Sequence, residues 1–310
     1  MTITLAIDIG GTKIGVGLVD PKYQIIKHTV FPSHRGIDAL LDTFQSAIRW
    51  ASDTGFSAVA IATPGKLIGP SRGIIAPKTA QNMEKFPGEF DGLNLKKRLR
   101  SFMDGTREPF LINDALAQLA GGILDFKISV PTVVGYLGPG TGLGGGCAQI
   151  HPTSRLKFLT DGHFFDVMLP RDSKDTWSPP GATVMSEDVI SGRRFYEITG
   201  VSVLDCTQSP DLMTQHAPVI AMFGRYLGQL IATIQSGSFN KKYPDTQWST
   251  YDLATVAEIN TWIIGGSLGK LLVPIAEKWL TSYAIRSQLH PIQDVNAAAL
   301  RGVVYARDMA

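Results

Sequence analysis

The segment Leu5–Val19 reads LAIDIGGTKIGVGLV, in which an apolar run enters Gly10–Lys13 and a second apolar run leaves it. The segment Val133–Ile150 repeats this arrangement around the glycine-rich stretch Gly138–Gly146. Apolar runs on both sides of a glycine-rich turn predict β-hairpins whose turns expose backbone N–H groups. One such hairpin at the start of each half predicts two related lobes facing one cleft. Two unrelated hairpins in a single sheet would give the same pattern.

Between and after these hairpins, helical and strand patterns alternate. Apolar residues recur at helical spacing in 36–54, 115–123, 218–236 and 295–306, and short apolar runs at 58–62, 110–112 and 262–264 predict strands. Alternating strands and helices indicate an α/β architecture. We predict a small N-terminal lobe of residues 1–113, joined by the C-terminal helix 295–310, and a large lobe of residues 114–294. The segment 64–92 predicts a loop that closes over a ligand, and 240–260 predicts a solvated insertion.

Composition narrows the class of protein. The 310 residues include 29 basic and 27 acidic side chains, a balance that favours neither a nucleic-acid nor a membrane surface. Cys147 and Cys206 are the only cysteines, too few for a disulfide framework. The N-terminus lacks the pattern of a signal peptide, and the apolar segment 219–234 is too short to span a bilayer. We therefore expect a cytoplasmic protein without nucleic-acid or membrane partners.

The first glycine-rich turn carries the groups that a phosphate needs. Gly10 and Gly11 offer unobstructed N–H donors, Thr12 a hydroxyl and Lys13 a cation. Asp8, at the end of the preceding strand, would hold Mg²⁺ through water, because this ion prefers carboxylate oxygen and keeps much of its hydration. The spacing is neither that of a Walker A loop nor that of a Rossmann loop. A plain hairpin turn is the alternative.

Two further glycine-rich turns strengthen this interpretation. The turn Gly138–Gly146 has so many glycines that it would weaken a sheet, unless a ligand approaches the backbone closely. The turn at Gly265-Gly266 ends a strand and opens a helix, where N–H groups and the positive end of the helix dipole attract an anion. Three such turns in one chain predict a polyphosphate site.

Asn113-Asp114 follows a predicted strand and starts a predicted helix. A carboxylate there can accept a proton from an attacking hydroxyl group, while the asparagine orients the same substrate. Both residue types also favour the N-cap of a helix, and this structural role is the alternative.

Together these segments resemble the ROK sugar kinases and bacterial glucokinases. The resemblance is carried by residues 8–13, 112–115, 140–146 and 264–266, in this order and separation. It implies the actin-like ATPase fold, an α/β fold of two RNase-H-like lobes that bind ATP, Mg²⁺ and sugar in the cleft between them. It makes Asp114 the catalytic base and Asn113 a sugar-binding residue, and we place Gly65 with the sugar-binding residues. Nucleotide contacts are implied for Thr12 and Lys13, for Gly140, Thr141 and Gly142, and for Gly265 and Gly266.

Two more matches concern the sugar. Ser186–Gly192 is similar to the family segment in which a glutamate, here Glu187, binds a ring hydroxyl. Asp161-Gly162-His163 is similar to the family's Glu-x-Gly-His segment, but Thr160 stands where the glutamate is found and Asp161 is displaced by one residue. We count Thr160, Asp161 and His163 as sugar-binding residues. A surface aspartate and a buried structural histidine are the alternatives for this segment.

The resemblance also sets the expected function. The interval 164–186 has no cysteine, so we expect no structural zinc, and the chain begins at its first strand, which disfavours a DNA-binding repressor. We expect an ATP-dependent hexose kinase, most simply a glucokinase, that forms a homodimer. A kinase for N-acetylmannosamine, fructose or allose is one alternative, and a non-catalytic sugar-binding regulator is another.

Overall fold

The computed structural model describes residues 2–11, 13–69, 72–103, 108–128, 132–152, 155–161, 164–178, 180–243 and 250–309. For residues 160–161 and 250–251 it describes the main chain only. The chain divides into two compact units. Unit 1 comprises residues 1–128 and 294–310, and unit 2 comprises residues 129–293.

The secondary structure elements follow in chain order. The first half contains β1 (Thr4–Ile9), β2 (Lys13–Val19), β3 (Ile25–Pro32), α1 (Ile37–Ser52), β4 (Ala58–Thr63), β5 (Leu67–Ile68), β6 (Ile74–Ile75), a 3₁₀ turn (Gln81–Met83), α2 (Leu95–Arg100), β7 (Phe110–Asn113) and α3 (Asp114–Phe126). Then come β8 (Thr132–Pro139), β9 (Leu143–Ile150), β10 (Leu156–Asp161), β11 (Met168–Pro170), β12 (Thr183–Met185), α4 (Glu187–Ile190), α5 (Gly192–Thr199), α6 (Val203–Gln208), α7 (Pro210–Gln215), α8 (Ala217–Gln235), α9 (Thr250–Ala257), β13 (Thr261–Ile264), α10 (Gly266–Ser282), β14 (Gln288–Pro291) and α11 (Val295–Met309).

Unit 1 is built on a sheet with strand order β3-β2-β1-β4-β7. The β1–β2 hairpin is antiparallel, whereas β4 runs parallel to β1 and β7 runs parallel to β4. In this register Asp8 lies opposite Ala62, and Thr63 lies opposite Asn113. The carboxyl ends of parallel strands meet at one edge of a sheet, where α/β folds bind ligands. The sheet therefore brings Asp8 and Asn113 to the same edge.

The boundary between the units differs from the predicted one. The sequence analysis divides the chain at 113/114, but α3 belongs to unit 1, whose first segment ends at residue 128. Helix α3 packs along α11, and their backbones approach so closely that a side chain on Gly121 would overlap the Ala298 carbonyl, and one on Gly302 the Ala117 carbonyl. This contact joins α3 to the C-terminal helix, which belongs to the same unit.

Unit 2 repeats the topology of unit 1. Its sheet has the order β10-β9-β8-β13-β14, with an antiparallel β8–β9 hairpin and with β13 and β14 running parallel to β8. When the five strands of each sheet are numbered in chain order, both sheets have the order 3-2-1-4-5. This repetition confirms the predicted α/β fold of two RNase-H-like lobes.

The core of unit 2 surrounds α8. Among the described residues this helix alone is long and apolar enough to cross a membrane by length and composition, and 61% of its most apolar window is buried. At 19 residues it exceeds the segment 219–234 that the sequence analysis considers too short for a bilayer. Phe223, Tyr226 and Leu227 are fully buried, as is typical of a core helix.

Two predicted irregular segments contain more structure than expected. The segment 64–92 includes β5 and β6, which pair with each other. The segment 240–260 is anchored at its start, because Asn240 accepts a hydrogen bond from the Met168 N–H at 2.8 Å and Lys241 is buried. The prediction of a solvated insertion is therefore wrong for Lys241, whereas Asn240 is exposed.

Candidate functional site

In unit 1 the turn between β1 and β2 is tight. The Gly10 N–H donates to the Lys13 carbonyl at 3.0 Å, and a Cβ atom on Gly10 would lie only 2.9 Å from that oxygen. Glycine is thus required at position 10 by close approach of the backbone. Lys13 is exposed at the start of β2. Thr12, predicted as the hydroxyl of this turn, lies outside the described residues.

Asn113 serves as the N-cap of α3. Its Oδ1 accepts from the Ala115 N–H at 3.0 Å, and its Nδ2 donates to the Gly65 carbonyl at 3.0 Å. The N-cap role, which the sequence analysis gives as the alternative, thus accounts for Asn113 Oδ1. Asn113 Nδ2 ties the start of α3 to the turn after β4. Gly65 needs to be glycine, because its φ is +89° and a Cβ atom would lie 3.1 Å from Thr79 Oγ1.

Asp8 and Asp114 form a pair of partly buried carboxyl groups. Burial, and after it the Asp114 carboxylate, raise the pKa of Asp8 to about 7, against the opposing charge of Lys13. Burial also raises the pKa of Asp114 to about 6, against hydrogen bonds from Ala115, from its own N–H and from Asn113 that lower it. Perturbed carboxyl groups at the ligand-binding edge of a sheet are typical of functional sites. Asp114 has the pKa of a general base that works near neutral pH.

In unit 2 the second glycine-rich turn is held by the start of α5. The Gly192 N–H donates to the Gly140 carbonyl at 2.6 Å, and the Arg193 N–H donates to the Thr141 carbonyl at 3.1 Å. The Gly142 carbonyl accepts from the Gly140 N–H at 2.9 Å. Since these carbonyl oxygens are engaged within the protein, an anionic ligand at this turn would not meet their negative dipoles.

The third glycine-rich turn touches the second. Gly265 donates its N–H to the Leu137 carbonyl at 2.9 Å, which places the start of α10 beside the end of β8. Gly266 has φ +69°, and a Cβ atom there would overlap the Pro139 carbonyl and lie 2.7 Å from the Gly140 nitrogen. Only glycine fits this position. The N-terminus of α10 therefore adds N–H donors next to the 140–142 turn.

Glu187 lies against the same turn. Its Oε1 is 2.9 Å from the place where a Gly142 side chain would begin. Burial raises the pKa of Glu187, the Arg193 guanidinium at 3.6 Å lowers it, and Asp188 raises it. The Glu187 N–H donates to the Phe165 carbonyl at 2.9 Å, which orients the start of α4.

The remaining predicted sugar residues are only partly described. Gly162 and His163 lie outside the described residues, and for Thr160 and Asp161 only the main chain is given. Strand β10 pairs with β9 through a register shift between Phe158 and Thr160. The regular alternation of side chains is interrupted there, so spacing alone does not predict which face Asp161 occupies.

The sequence analysis missed two residues at the 140–142 turn. Gly192 packs so closely on the 140–142 turn that a Cβ atom would lie 2.7 Å from the Gly140 carbonyl oxygen, and Arg193 pairs with Glu187. Their position directly after Ser191 in the Glu187 segment was the available signal. Among the described residues, no cluster of three or more His, Cys, Asp and Glu side chains is arranged to hold a metal ion.

A comparison with models of protein families finds a match in the first half of the chain. Residues 4–151 match the model of the ROK family. By sequence, this part of the chain is similar to the ROK family. A search of curated protein sequences found no significant match.

Solved structures extend the ROK likeness to the whole fold. A ROK family glucokinase from Streptomyces griseus, solved with glucose and AMPPNP, aligns with a TM-score of 0.69 at 20% identity over 99% of both chains. A ROK hexokinase from Thermus thermophilus aligns with a TM-score of 0.62 at 19% identity over 99% of this chain and 98% of the other. A ROK transcriptional regulator, a homologue of the E. coli MLC protein, aligns with a TM-score of 0.64 at 15% identity over 98% of this chain and 78% of its own.

Proposed function

We propose that this chain is an ATP-dependent sugar kinase, most simply a glucokinase, with Asp114 as the base for the sugar hydroxyl. The observation that carries the proposal is the pair of partly buried carboxyl groups, Asp8 and Asp114, at the edge where parallel strands end. The ROK pattern of residues 4–151 and the fold of ROK glucokinases support it.

The nucleotide contacts fall to the glycine-rich turns. The 140–142 turn and the start of α10 lie together, and the carbonyl oxygens of the turn are engaged within the protein. The N–H groups of Gly140 and Gly265 are engaged as well, so we assign the phosphates and the nucleoside to the other N–H groups of these two segments. We assign a second phosphate contact to Gly11, Thr12 and Lys13, in a turn that Gly10 shapes because its N–H is engaged by the Lys13 carbonyl. Phosphoryl transfer needs little more from the protein than positioning and neutralisation of charge.

Asp8 fits the position of a Mg²⁺ ligand. Burial and the neighbouring Asp114 carboxylate both disfavour the negative charge of Asp8, and a divalent cation would offset this charge. Mg²⁺ is usually bound by one or two carboxylates together with waters and substrate phosphates. The bound ion would supply neutralisation of the triphosphate. Asp8 would hold it through water.

We assign the sugar contacts to the residues that the sequence pattern singled out. Asn113 and Gly65 shape the start of α3, Glu187 accepts a hydrogen bond from a ring hydroxyl, and Thr160, Asp161 and His163 complete the sugar-binding set. Asp114 takes the proton from the attacking hydroxyl as the new O–P bond forms and the bond between the γ-phosphorus and the leaving ADP oxygen breaks.

The test is an ADP-release assay with ATP and Mg²⁺ on glucose, N-acetylmannosamine, fructose and allose. We expect turnover on at least one sugar, with glucose preferred, and loss of turnover by several orders of magnitude in Asp114→Asn. Asp38→Asn is the matched control, since Asp38 is an exposed aspartate in the first turn of α1 and should leave turnover unchanged. Near-normal turnover in Asp114→Asn would refute the assignment of the base.

A sugar-binding regulator is the second candidate. The structural likeness to a ROK regulator favours it, since that protein shares this fold. Binding of a sugar without ADP formation on any sugar of the panel would establish this function and exclude the kinase. A different preferred sugar within the panel would correct the substrate and leave the kinase in place.

A further inference from the structure

Unit 2 contains a cavity of about 350 Å³ that is separate from the glycine-rich turns. The β11–β12 hairpin and the first turns of α4 and α5 surround it. Met168, Val184 and Met185 give it an apolar wall. Its charged lining residues are Asp188, Arg193, Arg194, Glu197 and Lys242. Its volume lies within the range of small-molecule sites, about 300–1,000 Å³.

Two of the cations at this cavity are available to a ligand, and one is not. Arg194 is engaged, because it pairs with Glu197 at 3.0 Å and donates to the Trp177 carbonyl at 2.7 Å. Arg193 makes longer contacts, 3.6 Å to Glu187 and 3.9 Å to Glu197, and its side chain is 57% exposed. Lys242 is exposed and comes from a different segment. Two cations from separate segments suit a ligand with a compact anionic group.

The other walls indicate the rest of the ligand. Asp188 lines the cavity with an acceptor for hydroxyl groups, and the apolar wall can cover the C–H face of a small ring. Glu187, its neighbour in α4, lies against Gly142 instead. We propose that this cavity binds a phosphorylated sugar or similar phosphorylated polyol, with the phosphate on Arg193 and Lys242 and the hydroxyls on Asp188.

Arg193 connects this cavity to the candidate sugar site. Its guanidinium is the cation beside Glu187, and its N–H holds the Thr141 carbonyl. A phosphate that draws the guanidinium into the cavity removes positive charge from Glu187, which changes the affinity of Glu187 for its own ligand. The coupling is reciprocal, so sugar and phosphorylated sugar alter each other's affinity by the same factor. This coupling rests on the proposed function, whereas binding in the cavity does not.

The test is calorimetric titration of the full chain with glucose 6-phosphate, inorganic phosphate and glucose, without nucleotide. Two variants address the cavity. Lys242→Gln removes one phosphate contact, and Thr183→Trp fills the cavity from an exposed strand position that tolerates an aromatic side chain. Lys278→Gln, an exposed lysine of α10, is the matched control.

We expect a glucose 6-phosphate site that weakens at least tenfold in Lys242→Gln, is lost in Thr183→Trp and is unchanged in Lys278→Gln. Inorganic phosphate should bind this site more weakly than the sugar phosphate. Equal binding by the wild type and both cavity variants would overturn the proposal, and equal affinity for inorganic phosphate would overturn the polyol assignment. These binding measurements do not depend on turnover. If the chain forms no ADP but its glucose 6-phosphate binding is lost in Thr183→Trp, only the kinase proposal is refuted.

Discussion

The ion pair between Lys241 and Asp166 allows a quantitative prediction. Lys241 Nζ lies 3.1 Å from Asp166 Oδ1, and the two side chains are 1% and 0% exposed. Lys241→Met keeps the length and the apolar stem but leaves the carboxylate without its cation. Removing one partner of a buried pair costs about 3–5 kcal/mol, because the remaining charge is uncompensated. With a urea dependence of about 2 kcal/mol per molar, the unfolding midpoint falls by about 2 M.

The same reasoning predicts recovery in a double variant. Lys241→Met with Asp166→Asn removes both charges, so the cost of desolvating them disappears with their attraction. We expect the free energy of unfolding to return to within about 1 kcal/mol of the wild type. Lys242→Met is the control, since this neighbouring lysine is exposed and its loss should change stability by less than about 0.5 kcal/mol. A single Lys241→Met variant as stable as this control would refute the reasoning.

This ion pair also bears on Glu187. Asp166 follows Phe165, whose carbonyl accepts from the Glu187 N–H at 2.9 Å and from Ser186 Oγ at 2.6 Å. The main chain of Asp166 is held in turn by the Lys242 N–H at 2.9 Å. If the proposed kinase function holds, loss of the ion pair should therefore raise KM for the sugar while leaving KM for ATP nearly unchanged. A lower apparent kcat with both KM values unchanged would indicate a general loss of folded protein instead.

Three further predictions concern Asp114, Asp8 and Gly266. The acid limb of kcat against pH should fall below about pH 6, where Asp114 becomes protonated, and a flat profile down to pH 4 would contradict its role as the base. The folded-state pKa of Asp8, about 7, lies above its ordinary value of 3.8, so the free energy of unfolding decreases as the pH rises between these two values. Thermal unfolding should therefore show Asp8→Asn more stable than the wild type at pH 8 but not at pH 4. Gly266→Ala should weaken binding of a non-hydrolysable ATP analogue at least tenfold and destabilise the protein by more than about 1 kcal/mol, because it combines φ +69° with overlap on the Pro139 carbonyl. Gly200→Ala, with φ +71° and open space around it, should show the backbone cost alone, and equal effects of both variants on nucleotide binding would refute a specific role for Gly266.

The repeated hairpins made the fold predictable. The runs on both sides of Gly10–Lys13 and Gly138–Gly146 are local patterns, and each became an antiparallel pair at the centre of its sheet. The boundary between the units depends instead on contact between α3 and α11, which are far apart in sequence. Gly121 and Gly302 permit that contact, but neither shows from its neighbours in sequence which helix it will meet.

The candidate site, too, could be predicted from the sequence only in part. The ends of β1 and β7, with Asp8 and Asn113, follow from strand and helix patterns plus the rule that parallel strands end at a common edge. The buried charge of Lys241 could not be predicted, because a lysine between polar neighbours in a segment without periodicity is ordinarily exposed. Its partner Asp166 lies in a different part of the chain, and only the folded structure pairs them.

The carboxyl groups at the edge of the unit 1 sheet cost stability at neutral pH. Asp8 and Asp114 each have a pKa raised by burial, and the charge of Asp114 raises that of Asp8 further, so ionising both is unfavourable in the folded protein. An asparagine at either position would keep similar shape and hydrogen-bonding capacity without this cost. A ligand that offsets their charge or takes part in proton transfer would remove this cost. A cation at Asp8 and a hydroxyl donor at Asp114 would meet both conditions, which is the arrangement that transfer of a phosphoryl group to an alcohol requires.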